Sequence, residues 1–348
     1  MTLYATVEDV RAATGSKSTA TDVLRIIAAL EAASRDVDDV VQRTDGAFRP
    51  LYGTYYYDWP VRSGALYYRL WLDAQPLIGL TGLTAGAASI PLADVFLEPQ
   101  RYGPPYDRIE IDIGSSSAFG FDKTPQRAIG VTGLWGYGDD RRSAGTLVGP
   151  ISDSASTLVV SDGSLSGTGD HLVIGTERME ITSRMWSDSL QDLGSGLASS
   201  AAAVAVAVAD GTGFHSGELI LIDAERMAVV DVAGNNLIVR RAHDGSTMAA
   251  HLTGASVYVQ RVAVVTRGAR GSVATSHPDG ATIEAHVVPG DVRELTVASA
   301  VTSLLSGQAG WAREYGPQGA TTKLGQGLDQ LRGQVQANYG RQCRTRVV

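Results

Sequence analysis

The chain has 348 residues, a net charge of −8, 44% hydrophobic and 19% charged side chains, and one cysteine, Cys343. That length can bury more than one core, while the lone thiol excludes an intrachain disulfide framework and a cysteine-based zinc cage. The acidic balance argues against a grip on nucleic-acid phosphates. The longest uncharged apolar stretch, "LASSAAAVAVAVA" at 197–209, is too short to span a bilayer, so no membrane partner is expected.

The first 45 residues read as helix. Thr6 with Asp9 has the form of a capping box before a short helix that Gly15 ends. Val23, Leu24, Ile26, Ile27, Leu30, Ala33, Val37, Val40 and Val41 then recur at helical spacing, predicting one apolar stripe over 20–44. The acids Glu31, Asp36, Asp38 and Asp39 read as its solvated face. From 47 to 138 the pattern becomes short aromatic-rich strands: "LYGTYYYDW", "ALYYRLWLD", "PLIGLTGLTAG", "DRIEIDIG" and "RAIGVTGLWGYG". Without a convergent acid, base or metal ligand nearby, these aromatics read as the packing of a small sheet.

The middle of the chain contains an internal repeat. Residues 158–182, "LVVSDGSLSGTGDHLVIGTERMEIT", align without a gap onto 206–230, "VAVADGTGFHSGELILIDAERMAVV". Residues 241–257, "RAHDGSTMAAHLTGASV", align onto 267–283, "RGARGSVATSHPDGATI". The order is first half, first half, second half, second half, and its simplest reading is one small β-barrel inserted into a loop of another. Contact between 172–182 and 264–268 is the expected mark of that nesting. His243, Asp244 and His251 form a potential ligand trio, but the second copy has Ala269 and Arg270 in place of the first two and keeps only His277. A histidine packed on the barrel and hydrogen-bonded to backbone is the plainer reading, and no metal ligands are assigned.

Pro289, Asp291 and Glu294 predict another capped helix with Val292, Leu295, Ala298, Val301, Leu304 and Leu305 on its buried face. Leu324, Leu328, Leu331 and Val335 then form a thin stripe interrupted by Gly325, Gly327 and Gly333, so a partner is expected to order that segment. Residues 289–348 carry 7 basic and 4 acidic groups, with Arg341, Arg344 and Arg346 at the very end. No nucleophile elbow, dinucleotide loop or phosphate loop is present. The loop from Asp162 to Asp170 lacks the alternating ligands of an EF-hand, leaving weak calcium binding there as the one open alternative. No catalytic residue and no cofactor are expected.

"YATVEDVRAATG", "TDVLRIIAALEAASRDVDDVVQR", "VTGLWGYG" and "PGDVRELTVASAVTSLL" together resemble the head-to-tail connector (adaptor) proteins of long-tailed double-stranded DNA phages. The resemblance covers 1–145 and 289–312. It implies a virion structural subunit, assembled in the host cytoplasm and placed at the head–tail interface, that forms a homo-oligomeric ring, commonly of twelve copies. Such a ring binds the portal protein above and a stopper or tail terminator protein below, and DNA passes through it without specific binding. The departure is about 150 residues of β repeat between "WGYG" and "PGDVREL".

The expected fold is therefore α+β: a helical adaptor body with a short-stranded β element (1–145), an all-β insertion of two related small barrels (146–288; units 158–182 with 264–284, and 206–259), a closing helix (289–312) and a C-terminal arm (313–348). Leu324, Leu328, Leu331, Val335, Arg341, Arg344 and Arg346 are the residues expected to bind the portal. The alternative is a tail or surface module whose barrels recognise a host glycan, although the insertion offers only Trp186, Phe214 and Tyr258 as aromatics.

Overall fold

The computed structural model describes residues 2–15, 22–43, 46–59, 68–73, 75–309 and 318–341, with side chains at 307–309 and 318–326 outside that description. Among the described residues it is a mixed α+β chain of four helices and large antiparallel sheets. Helix α1 (Val7–Thr14) starts at the expected capping box: the Thr6 hydroxyl accepts from Asp9 N while the Asp9 carboxylate accepts from Thr6 N. Helix α2 (Val23–Val41) turns Ile26, Leu30, Ala33, Val37 and Val41 inward. Two expectations about it fail. Leu24 is 71% exposed, and Asp38 is buried, accepting hydrogen bonds from Tyr4 Oη and from Gly46 N. A carboxylate on the inner face is tolerated because those donors satisfy it.

Two small sheets follow. One has the order β1-β7-β3-β4, from β1 (Leu51–Tyr57), β3 (Leu77–Ala85), β4 (Ala88–Ser89) and β7 (Ile129–Trp135). The other has the order β2-β6-β5, from β2 (Arg69–Trp71), β5 (Val95–Glu98) and β6 (Arg108–Ile111). They share one core around Leu70, Leu77, Ile109, Val131 and Trp135, so the dense aromatics are partly packing, as expected. Gly133 is required by close approach, since a Cβ there would lie 2.2 Å from Gly79 O on the neighbouring strand.

The remaining strands are β8 (Arg141–Val148), β9 (Thr157–Val160), β10 (His171–Ile174), β11 (Glu177–Asp192), β12 (Ala205–Ala207), β13 (Leu219–Ile222), β14 (Glu225–Ala233), β15 (Asn236–Arg240), β16 (Ser256–Thr266) and β17 (Thr282–His286). Hydrogen-bonded neighbours run β11-β10-β17-β8-β9-β16, and β16 pairs back to β11, so this circuit returns to its start. It surrounds a core of Leu147, Leu158, Leu172, Met179, Ala263 and Ile283. From β16 the pairing continues through β13, β14, β15 and β12, and Gly194 N donates to Ala207 O at 2.8 Å to bring the end of β11 beside β12. These strands surround a second core that includes Leu193, Val206, Ile220, Met227, Leu237 and Val257. Repeat-related residues hold the same places in both cores: Leu158 and Val206, Leu172 and Ile220, Met179 and Met227.

In the chain, the second core falls entirely within the first, so we call them inner and outer. The anticipated contact is present, with Glu180 opposite Thr266 and Ile181 opposite Val265. Strands β11 and β16 belong to both units. Their paired stretch runs from Glu180/Thr266 in the outer unit to Asp192/Ser256 in the inner one, through register shifts after Ile181, Met185 and Asp188.

Helix α3 (Gly290–Ala309) lies antiparallel to α2: Leu295 and Val292 meet Val37 and Val41, while Ala300 and Leu304 meet Ile26 and Leu30. Leu305, placed on the buried face by its spacing, is 51% exposed; Thr296 and Ala300 are buried instead. The Asp291 carboxylate accepts from Val292 N, Asn338 Nδ2 and Tyr339 Oη, so it bonds the last helix rather than closing a box with the exposed Glu294. That last helix is α4 (Gln318–Tyr339). A buried arginine joins the helical body to the outer unit: Arg49 is 1% exposed and donates to the carbonyls of Leu3, Gly169 and His286.

Candidate functional site

The repeated His does not bond the backbone through its ring, as its sequence context suggested. It closes a buried clasp that occurs once in each unit. In the inner unit, Arg241 donates from Nε and Nη2 to the two oxygens of Glu225, both at 2.7 Å, and His251 Nε2 lies 2.9 Å from Glu225 Oε2. Ala242 N and Ala249 N complete the carboxylate's partners at 3.0 Å each. In the outer unit, Arg267, His277, Gly268 N and Thr275 N surround Glu177 in the same way. Burial would raise both carboxyls, but the charge-assisted bonds outweigh it and hold each at about 2 against an ordinary 4.5. The glutamates come from the shared "ERM" frame and the Arg and His from the second-half frame. The clasp therefore explains why these types persist in both copies.

One of the positions between Arg and His that differ between the copies faces the helical body. Asp244 pairs with Arg11 of α1 at 2.6 Å, and its counterpart Arg270 donates to the carbonyls of Gly46 and Arg49 at 2.8 and 2.7 Å. Each unit is thus tied to the body from the same place in its repeat, by a different chemistry.

Asp162 and Asp170 do not come together as a calcium pair. Asp170 accepts from Gly167 N and pairs with Arg142, while Asp162 caps Ser164 N. Among the described residues, Asp162, His215 and Glu218 bring ligand atoms within 4.8 Å of one another. The Glu218 carboxylate there is already bidentate on Arg261, at 2.6 and 2.7 Å, and accepts from Gly163 N at 2.8 Å. A cation would have to displace the guanidinium, so this cluster fits a junction between inner and outer units better than a metal centre.

Of the expected portal-binding residues, Leu328, Leu331 and Val335 lie in α4 against the chain's own core with Val37, Phe48 and Leu295. Val335 is fully buried, and Tyr339 packs edge-on to Phe48 and Tyr137. The carboxy-terminal half of α4 is therefore ordered by the body, which corrects the expectation that a partner orders it; the apolar stripe is thin because it fills one groove. Arg341 is exposed beyond the helix, with its N–H on Val41 O. The Leu324 side chain, Arg344 and Arg346 lie outside the described residues.

A cleft of about 900 Å³ is bordered by α1, the 163–170 loop and the inner unit. Glu8 borders it, accepting from Thr168 N at 2.8 Å, and burial pushes its carboxyl up. Of the insertion's aromatics, Phe214 is in the inner core, Trp186 is half-buried and Tyr258 is 38% exposed. No family model, curated protein or solved structure matches the chain.

Proposed function

We propose that the chain is a virion structural protein, the subunit of an adaptor ring that joins a portal vertex to a tail and extends the DNA channel. The observation that carries this reading is the meeting of its two adaptor-like segments. Helix α3 packs on α1 and α2, although the intervening β strands build cores of their own. In this reading the body is the ring-forming part, and the β units are two small barrels, one nested in the other, that decorate it. The closed pairing circuit of the outer unit and the shared strands β11 and β16 support the nesting. The net charge of −8 suits a channel wall that DNA slides past.

The portal-binding arm is 313–348. Because Leu328, Leu331 and Val335 are packed on the body, engagement of the portal exchanges that intramolecular contact for an equivalent groove on the partner. The tail-side partner is a stopper or tail terminator protein. The test is the mass of the purified chain, alone and mixed with the portal ring of its own virus. A discrete ring, or a stoichiometric complex formed only with portal, upholds the reading; a monomer that ignores the portal refutes it.

A further inference from the structure

The cleft between α1 and the inner unit has a charge balance unlike that of the chain. Six arginines border it, against Glu8, Asp9, Asp170 and Asp244, in a protein whose net charge is −8. Three of those arginines are matched: Arg11 with Asp244, Arg142 with Asp170 and Arg293 with Asp9. Arg49 is sealed by carbonyls. Among the described residues, Arg184 and Arg240 have no carboxylate within salt-bridge distance, and Glu8, Glu218, Asp170 and Asp162 act on Arg184 only at longer range. Arg184 donates to the carbonyls of Gly163 and Gln260, and Arg240 faces His243.

A second observation points to a ligand. Ser166 borders the cleft, is 6% exposed, and its hydroxyl has no hydrogen-bond partner among the described residues. Its neighbours on the loop are both engaged: Leu165 O accepts from Arg142, and Gly167 N donates to Asp170. The facing wall of the inner unit carries the apolar side chains of half-buried Leu219 and exposed Val230 beside Arg240, His243 and Asp244. The Arg11–Asp244 pair spans the two walls, so the cleft is held open at a fixed width.

We propose that this cleft binds a small organic oxyanion, its carboxylate or phosphate group held by Arg184 and the Ser166 hydroxyl and its carbon skeleton laid on the Leu219–Val230 wall. Guanidinium with hydroxyl is a natural donor set for either headgroup, and the apolar side chains of Leu219 and Val230 select an organic acid or phosphate ester over a bare ion.

The full chain is titrated calorimetrically with succinate and, separately, with glycerol phosphate; the tighter of the two identifies the headgroup. Saturable binding of either is expected. Ser166→Ala weakens it about tenfold, the size of one hydrogen bond to a charged group, and Arg184→Gln abolishes it. Arg101→Gln, on an exposed turn stacked over Tyr102, leaves binding unchanged. The Ser166 hydroxyl bonds no described residue, so its variant stays folded even if Arg184→Gln does not. Failure of both ligands to bind, or equal binding by the Ser166→Ala protein, overturns the proposal.

Discussion

Replacing Glu225 with Gln tests whether the Glu–Arg–His clasp holds the inner unit together. The side chains of Glu225 and Arg241 are 0% and 2% exposed, and the carboxylate accepts from Arg241 twice, from two backbone amides and from His251. Its displacement from 4.5 to about 2 corresponds to about 3 kcal/mol of stability at neutral pH. Removing the charge also leaves Arg241 buried beside an amide, and breaking such a pair costs about 3–5 kcal/mol. Glu225→Gln is therefore expected to lower the stability of the inner unit by about 3–5 kcal/mol in urea unfolding at pH 7. Because the folded value is depressed, the carboxylate's contribution is complete above its ordinary 4.5 and is lost as pH falls toward 2. Glu177 and Glu225 both contribute to the native chain's loss of stability through that window, and the variant should lack the Glu225 share. A variant within about 1 kcal/mol of the native chain, or one with an unchanged acid dependence, would refute the reasoning.

Excising the inner unit by joining Met185 to Val262, a facing pair on β11 and β16, through an Asn-Gly turn is expected to leave a folded body and outer unit; loss of cooperative thermal unfolding would contradict this. Val335→Asp should release the carboxy-terminal half of α4 from the core it shares with Val37 and Phe48. Limited proteolysis would then cut after residue 309 while α2 and α3 stay protected. Gly133→Ala places a methyl 2.2 Å from Gly79 O and should cost about 1–3 kcal/mol through strain between β3 and β7. Unchanged stability in denaturant would show that the strands part freely.

The helical body was largely legible from its own local rules. The Thr6–Asp9 box and the Ile26–Val41 stripe are short-range patterns, and both formed. The exceptions, Asp38 and Leu24, depend on what lies across the core: Tyr4 and Gly46 supply the buried acid with donors, and Leu24 falls outside the face on which Val23 and Ile26 pack. The repeat was visible because its clasp needs Glu, Arg and His together. Its meaning was not, because Glu177 and His277 stand 100 residues apart and Glu225 and His251 only 26. A signal did exist, since the Glu, Arg and His that meet are among the positions that survive in both copies. The difference between Asp244 and Arg270 was legible only as divergence until α1 and the Gly46–Arg49 turn were placed beside them.

Sharing β11 and β16 between two units has a consequence for how such a chain grows. The inner unit occupies the end of the outer β11–β16 hairpin, and its own equivalent hairpin, β14–β15, ends at Gly234 and Asn235 with nothing further inserted. That tip is the same kind of acceptor one level down. A third copy grafted there would add a whole unit at that tip while leaving both termini and the helical body where they are, at the cost of the bonds Asn235 makes to Ala209 and Gly211. Growth of this kind is recursive: the number of units becomes a heritable quantity adjustable in whole steps, independent of whatever the base is attached to.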